Sequence, residues 1–381
     1  MSNEMNHTGN ELNTTFKKGG RIIIAGGGTG GHIFPAIAIA NALRRKDPTV
    51  SILFVGAKGK MEMEKVPQAG YGIIGLDIAG FNRSSLLKNL ALPFKILKSM
   101  GQASKVMNDF NPDVVVGVGG YASFPMLRIA QKIGIPTIIQ EQNSYAGKTN
   151  KLLGKKAMKI CVAYDGMEKF FPAHKIKKTG NPVRETIENI TVSRTEGLKH
   201  FSLEEGKKTL LVVGGSLGAK SVNEAIEKHI DKLLKNNIQL IWQTGKNFVH
   251  KAAEQAVDHR SVWVNDFISQ MEYAYAAADL VVSRAGALAI AELCVVKKPV
   301  LFVPYPHAAE DHQTVNALSL VNQNAALMVP DGEALDKVVP MVIELARDEA
   351  RQMELKENIG KMAMLKADEL IADEVLSLIK K

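Results

Sequence analysis

Three glycine turns in this chain have the residue types and setting to cradle an anion. Gly26-Gly-Gly-Thr-Gly-Gly-His32 follows a β-rich run and precedes a helical pattern. Gly214-Gly-Ser-Leu-Gly-Ala-Lys-Ser221 repeats that setting, and Ser283-Arg-Ala-Gly-Ala-Leu-Ala-Ile-Ala-Glu292 repeats it again. Glycine lets the backbone turn sharply and approach a phosphate, and free N–H groups at a helix start favour negative charge. His32 stands just inside the first helix start. An imidazole there titrates near neutrality and serves either as a general base or as a hydrogen-bond donor to a ligand. Glu292 falls about two turns past its glycine, where a carboxylate can accept both hydroxyls of a ribose or simply face solvent. Two more polar turns, Gly119-Gly120-Tyr121 and Glu141-Gln-Asn143, close β-rich runs, which is where sites are assembled. Glu310-Asp-His-Gln313 and Asn316 form a polar cluster after a Pro-Tyr-Pro turn, readable also as a helix cap.

The same spacings exclude several chemistries. The first turn matches GxGxxG at Gly26, Gly28 and Gly31, but the next strand ends Val55-Gly-Ala-Lys58 without the carboxylate that would hold a dinucleotide ribose. The second turn misses a P-loop because Ala219 stands where its last glycine should be. The chain has no DxD sequence, so that pairing of acids is not available to hold a metal. Two cysteines, Cys161 and Cys294, sit in apolar runs and read as reduced core residues, with neither a disulfide framework nor a metal cluster.

The elements that position these turns follow from periodicity. Strands are expected at Arg21–Ala25, Ser51–Val55, Val114–Val118, Thr137–Gln140 and Lys159–Ala163, with a helix from about Pro35 to Arg45. A second series is expected at Thr209–Val213, Leu240–Gln243, Val262–Val264, Leu280–Ser283 and Pro299–Val303, with a helix from Lys220. Strands alternating with helical stretches imply parallel sheets covered on both faces. The expectation is therefore an α/β chain of two doubly wound, Rossmann-like domains facing across a cleft. Its 381 residues divide into a tail (1–19), a first domain (20–180), a second domain (181–350) and a last amphipathic helix (351–381, starting near Asp348) able to pack back on the first. Lys178-Thr-Gly-Asn-Pro-Val-Arg184 is the natural linker.

Charge is uneven along the chain. Residues 1–184 carry a formal +15 and residues 185–381 a formal −6, within a total of +9. The excess asks for an anionic partner at the first half: a phosphate, a nucleic acid or a membrane surface. Between Asp77 and Asp109 there is no acid, and Leu86, Leu87, Leu90 and Phe94 mix there with Lys88, Lys95 and Lys98. An apolar patch ringed by cations suits an anionic membrane, although an ordinary amphipathic helix has the same spacing. No run is long and apolar enough for a transmembrane helix, and the first nineteen residues lack the apolar core of a signal peptide. The expected location is cytoplasmic.

Taken in order, GGGTGGHIFPAIAIA, GVGGYASFP, QEQN, TGNPVR, GGSLGA, FISQM, SRAGALAIAE and DHQ with NA resemble the MurG family, over roughly residues 20–375. These are the N-acetylglucosaminyltransferases of peptidoglycan synthesis. The resemblance implies a GT-B fold and inverting transfer of GlcNAc from UDP to the muramyl 4-hydroxyl of lipid I, giving lipid II. It places the donor on Ile268, Glu292, Arg184, Gly214, Gly215, Ser216, Ala287, Leu288, Gln313 and Asn143, with Thr29 and Gly30 reaching it from the first loop. Acceptor pyrophosphate and sugar fall to Gly28, Gly31, Gly119, Gly120 and Tyr121, Thr29 facing both substrates, and catalysis to His32 and Glu141. It further implies an anionic membrane surface at the Leu86–Lys98 patch, a peripheral place on the cytoplasmic face of the cell membrane, a cell-wall synthesis complex as partner, no cofactor and no nucleic acid. The family loop reads GGSQGA, whereas Leu217 replaces the glutamine here. Another GT-B enzyme, such as a diacylglycerol glycosyltransferase or a UDP-GlcNAc 2-epimerase, shares much of this pattern. A nicotinamide oxidoreductase is disfavoured by the missing acid, and a catalytically dead membrane scaffold by the intact loop set.

Overall fold

A computed structural model describes residues 19–78, 92–215 and 217–379. The first domain carries strands β1 (Arg21–Ala25), β2 (Ser51–Ala57), β3 (Gly72–Leu76), β4 (Val114–Gly117), β5 (Thr137–Glu141), β6 (Lys159–Val162) and β7 (Ile176–Lys178). Between them run helices α1 (Gly30–Lys46), α2 (Glu62–Gln68), α3 (Leu92–Phe110), α4 (Ser123–Lys132) and α5 (Lys148–Gly154). The second domain opens with helices α6 (Glu185–Glu188) and α7 (Arg194–His200). Strands β8 (Lys208–Val213), β9 (Ile238–Gln243), β10 (Val262–Asn265), β11 (Leu280–Ser283), β12 (Val300–Phe302) and β13 (Leu327–Met328) follow. Its remaining helices are α8 (Lys220–Lys235), α9 (Val249–Ala256), α10 (Met271–Ala277), α11 (Ala287–Val296), α12 (His312–Val321), α13 (Ala334–Arg347) and α14 (Glu349–Lys361). One more helix, α15 (Ala367–Leu376), ends the chain.

Both sheets are parallel throughout, in the orders β3-β2-β1-β4-β5-β6-β7 and β10-β9-β8-β11-β12-β13. Strand order therefore reverses beside β1 and beside β8, and a crevice opens at the carboxyl ends of β1/β4 and β8/β11. The central strands read as unbroken apolar runs because both faces are covered. In β1, Ile22 and Ile24 enter one core while Ile23 and Ala25 enter the opposite one. Leu210 and Val212 of β8 are separated from Leu211 in the same way. Strands β3, β7 and β13, which the apolar pattern missed, lie at or near sheet edges, where burial is incomplete.

The expected last helix is two helices. The residues between them end with Lys366 in the left-handed region at φ 55°, where its N–H donates to Glu188 (3.2 Å). That corner sends the halves to different domains. Leu355 and Ile359 of α14 join the second domain's cores, whereas Ile371, Ala372 and Val375 of α15 pack with α1 in the first. Arg45–Asp368 (2.6 Å) and Lys46–Asp373 (2.9 Å) flank that seam. Replacing fully buried Ile371 by alanine leaves a cavity, so Ile371→Ala should cost about 2–5 kcal/mol, read as a lower urea midpoint for the first domain.

Candidate active site

At the edge of the first sheet two glycine loops touch backbone to backbone. Gly27 N–H donates to the Gly119 carbonyl (3.2 Å), and a Cβ on Gly120 would stand 2.2 Å from the Gly27 oxygen. Gly119 and Gly120 take φ of 90° and 84°, which suits glycine alone. Ser123 ties the loops by donating to the carbonyls of Ala25 (2.9 Å) and Gly119 (2.8 Å). The missing Cβ of Gly119 makes room for the His32 ring, which it would otherwise meet at 2.6 Å. His32 Nδ1 lies 3.1 Å from the Gly27 carbonyl and 3.2 Å from Thr29 Oγ1. A carbonyl only accepts, so Nδ1 carries the proton and Nε2 presents its lone pair. Burial pushes this imidazole below its ordinary value of 6.5, against the pull of the Gly27 carbonyl and Glu62; His312, from the second domain, adds to the lowering.

Glu62, almost fully buried, closes the back of the loop. Its carboxylate accepts from Gly28 N–H (2.8 Å) and Ala57 N–H (2.9 Å). Nothing lies within 4 Å of a Cβ built on Gly28, so the loop's front is open.

Glu141 ends β5 with its carboxylate occupied. It accepts from Asn143 N–H (3.1 Å), Gly147 N–H (3.1 Å) and Asn150 Nδ2 (2.9 Å). Burial raises its pKa, and those hydrogen bonds hold it back. Its geometry is that of a loop organiser: it fixes Asn143, whose Oδ1 accepts from Asn316 Nδ2 (3.2 Å) across the cleft. Asn316 also accepts from Ser144 N–H (3.0 Å) and Oγ (2.8 Å).

In the second domain Gly218 and Gly245 pack as closely as the first pair, a Cβ on Gly218 falling 2.1 Å from the Thr244 oxygen. Arg284 binds the edge together, donating to Val303 (3.0 Å) and Pro304 (3.1 Å) carbonyls and to Asp331, which also receives the Ser221 hydroxyl. Lys220 pairs with Glu224 (3.7 Å). Neither of the last two residues of the P-loop-like run is thus positioned as a P-loop would need. Helix α11 starts after Gly286, whose surroundings are open, and its first N–H groups, at Ala287 and Leu288, face no intrahelical partner. Two turns on, Glu292 accepts from Arg184 Nε (2.8 Å), Arg184 Nη2 (3.0 Å) and the Tyr275 hydroxyl (3.0 Å). Burial acts to lower the Arg184 pKa, but Glu292 outweighs it and holds the guanidinium above its ordinary value. Burial, then Glu292, raises the Tyr275 phenol well above 10, so it remains a donor. The Ile268 side chain is buried in the core, which anchors its backbone, and Gln313 Oε1 accepts from Tyr305 N–H (2.9 Å).

The pattern of two glycine-edged sheets has known counterparts. Residues 22–162 match the glycosyltransferase family 28 N-terminal domain and residues 209–373 its C-terminal domain. A UDP-N-acetylglucosamine–N-acetylmuramyl-(pentapeptide) pyrophosphoryl-undecaprenol N-acetylglucosamine transferase of Parabacteroides distasonis is 52% identical, over 95% of this chain and 99% of its own length. The enzyme of that name from Flavobacterium psychrophilum is 49% identical, over 94% and 98%. The crystal structure of Acinetobacter baumannii MurG superposes with a TM-score of 0.76 at 29% identity, covering 94% of this chain and 99% of that one. The chain belongs to the MurG family. Its fold is GT-B, two Rossmann-like domains whose glycine loops edge the sheets.

Against the family pattern, the first-domain residues Gly28, Thr29, Gly30, Gly31, His32, Gly119, Gly120 and exposed Tyr121 come together at one sheet edge. Gly214, Gly215, Ala287, Leu288, Gln313 and Asn143 border the cleft from the other turns. Ser216 and the patch residues Leu86, Leu87, Lys88 and Leu90 lie outside the described residues. Phe94 is 75% exposed and Lys95 exposed, while Lys98 pairs with Asp77 (2.9 Å). Arg184 and Glu292, expected on separate parts of the donor, form an ion pair with each other. Glu141, expected at the chemistry, accepts hydrogen bonds from its own loop. Sequence reasoning missed Glu62 and Tyr275, which carry no motif, and gave no role to Arg284 within the third glycine turn; their roles come from where the chain folds back.

Two measurements check this geometry. Because burial keeps His32 neutral at pH 7, protonation of Nε2 belongs below pH 6.5, so activity that needs its lone pair should fall on the acid side with an apparent pKa under 6.5. A kcat/KM–pH profile should show that limb, and His32→Gln should abolish it. Tyr275→Phe removes one hydrogen bond to Glu292 and should raise the donor KM roughly 3–10-fold while leaving acceptor KM unchanged.

Proposed function

We infer that this chain transfers N-acetylglucosamine from UDP-GlcNAc to the muramyl 4-hydroxyl of undecaprenyl-diphospho-MurNAc-pentapeptide, lipid I, with inversion, forming lipid II. The observation that carries this reading is the near full-length match to relatives bearing that name, with each glycine turn of both domains in place. In this reading the acceptor hydroxyl attacks the anomeric carbon as the bond to the UDP oxygen breaks, through an oxocarbenium-like transition state. His32 Nε2 takes the hydroxyl proton, being the lone pair left on a ring whose other nitrogen is held by Gly27. Charge developing on UDP is met by backbone N–H groups at the start of α11 and around Gly215, together with Arg184.

The ion pair at Glu292 sets a condition on donor binding. A carboxylate has about four lone-pair sites, and three are filled by Arg184 and Tyr275. Two ribose hydroxyls need two, so in this reading Arg184 gives up one of its two bonds when the donor binds, and that N–H turns to the diphosphate.

No metal is assigned to the reaction, since the sequence offers no DxD and neutralisation comes from backbone dipoles and Arg184. Attachment is peripheral, at the cytoplasmic face of the membrane, through the exposed side chains of Phe94, Leu97 and Lys95 at the start of α3 and the basic segment before it. Among the described residues no helix is long and apolar enough to cross a membrane. Acceptance of lipid I, and not of diacylglycerol, separates this reading from other GT-B activities.

Labelled GlcNAc should pass to a lipid I analogue in a β-1,4 link, at the same rate with and without EDTA; loss of transfer in EDTA would contradict the metal-free mechanism. His32→Ala should cut turnover about 100-fold or more, a loss of general-base size, and a drop of only a few-fold with unchanged donor affinity would remove His32 from that role.

A further inference from the structure

The glycine fingerprint of the first domain lacks the acid that would follow β2 in a dinucleotide site, yet the structure puts an acid there. Glu62 lies five residues beyond β2 and returns its carboxylate beneath the first glycine loop. One oxygen accepts from Gly28 N–H at 2.8 Å, the other from Ala57 N–H at 2.9 Å, and the residue is 1% exposed. Two glycines make the space. A Cβ on Gly27 would meet the Glu62 carboxyl carbon at 2.4 Å, and one on Gly56 would meet its Cγ at 2.4 Å.

The second domain differs at the matching corner. There β9 ends in Gln243, whose Nε2 donates to the Gly215 carbonyl at 3.0 Å. Among the described residues no carboxylate touches an N–H of Gly214 or Gly215, and the space a Gly215 Cβ would take is open. One fold thus presents two different corners: a carboxylate on loop N–H groups in the first domain, a neutral amide on a loop carbonyl in the second. A buried carboxylate repels a phosphate and occupies the donors that would bind it.

We propose that Glu62 is a positioning residue that closes the inner corner of the first glycine loop to a nucleoside diphosphate. It fills the inner corner with its own anion, so a nucleoside diphosphate is turned away, and it holds the outer face of the loop, Gly28 to Gly31, in place for the acceptor's pyrophosphate. The acceptor part of this proposal rests on the lipid I reading above; the exclusion of nucleotide does not. Glu62 and His312 are the charged or titratable groups that act on His32 from the elements around it, so the carboxylate also bears on the base without touching substrate.

The test compares purified full-length wild type, Glu62→Gln and Glu62→Ala. Glu62→Gln keeps the shape but cannot accept both N–H groups as a carboxylate does. It should raise the KM for a lipid I analogue at least 10-fold and hold the KM for UDP-GlcNAc within twofold. Glu62→Ala, which vacates the corner, should bind a second equivalent of UDP in calorimetry where wild type binds one. Equal rises in both KM values with a lowered melting temperature would reduce Glu62 to a structural role. Unchanged KM values, or a UDP stoichiometry that stays at one in Glu62→Ala, would overturn the proposal. Should either variant fail to fold, wild type decides: the Gly28 and Ala57 amides should resist hydrogen exchange as the β1 amides do, and fast exchange at Gly28 would sink the idea. Absence of transfer to lipid I by wild type would count against the function, whereas the UDP stoichiometry and the Gly28 exchange would still judge Glu62.

Discussion

The contact of Gly27 with Gly119 and Gly120 governs the first domain's side of the cleft. Loops from two adjacent parallel strands meet there with no side chain between them, and a Cβ on Gly120 would enter the Gly27 peptide. Closeness of the two backbones lets Gly27 donate to one loop while its carbonyl orients the imidazole of His32. The ring in turn fills the space that the absent Gly119 side chain leaves. Glycine is required at these positions by packing as much as by φ, and the tautomer of His32 follows from that packing. A larger residue at 119 would displace the group that carries the lone pair.

Charge looks different in space than along the chain. The first 184 residues hold the basic excess, but the last helix returns acids to them. Asp368 and Asp373 pair with Arg45 and Lys46, and Glu374 lies 3.5 and 3.7 Å from Lys159 and Lys177. Each such exposed pair contributes little stability. Together they cancel positive charge on the face that α15 covers, so the field left over is concentrated elsewhere, including the start of α3 where Lys95 stands beside exposed Phe94 and Leu97. Apolar side chains exposed beside lysines are what an anionic lipid surface requires.

Much of this was legible in the sequence, and for identifiable reasons. Central strands of a parallel sheet must be apolar on both faces, so Ile22–Ala25 and Leu210–Val213 declare themselves, and the glycine turns after them mark the carboxyl edge. Edge strands such as β7, Ile-Lys-Lys, have no such demand and read as loop. The last helix looked continuous because its apolar spacing runs through 362–366, and only the left-handed Lys366 breaks it. Glu62 was invisible for a different reason. A dinucleotide site demands its acid at the end of β2, whereas this carboxylate arrives from the first turn of the next helix and binds backbone. Partners fixed by tertiary folding, as Tyr275 is for Glu292 and Asp331 for Arg284, leave no local pattern to read.

The chain crosses between its domains twice, and the crossings touch. Gly180, at φ 82° in the linker, leaves only 2.6 Å between its missing Cβ and the Cβ of Met364 in the return segment. Two crossing segments in contact tie the domains together more firmly than a single linker would. Hydrogen bonds join the domains beside these crossings: Asn316 with Asn143 and Ser144, and Asn181, next to Gly180, with the Ala287 carbonyl at 3.5 Å. Separating apolar surfaces would expose them to water at a large cost, whereas hydrogen bonds of this kind are exchanged for bonds to water at a small one. The same asparagines sit beside the start of α11 and the loop that Glu141 organises. Groups that border the cleft thus also make the hydrogen bonds between the domains.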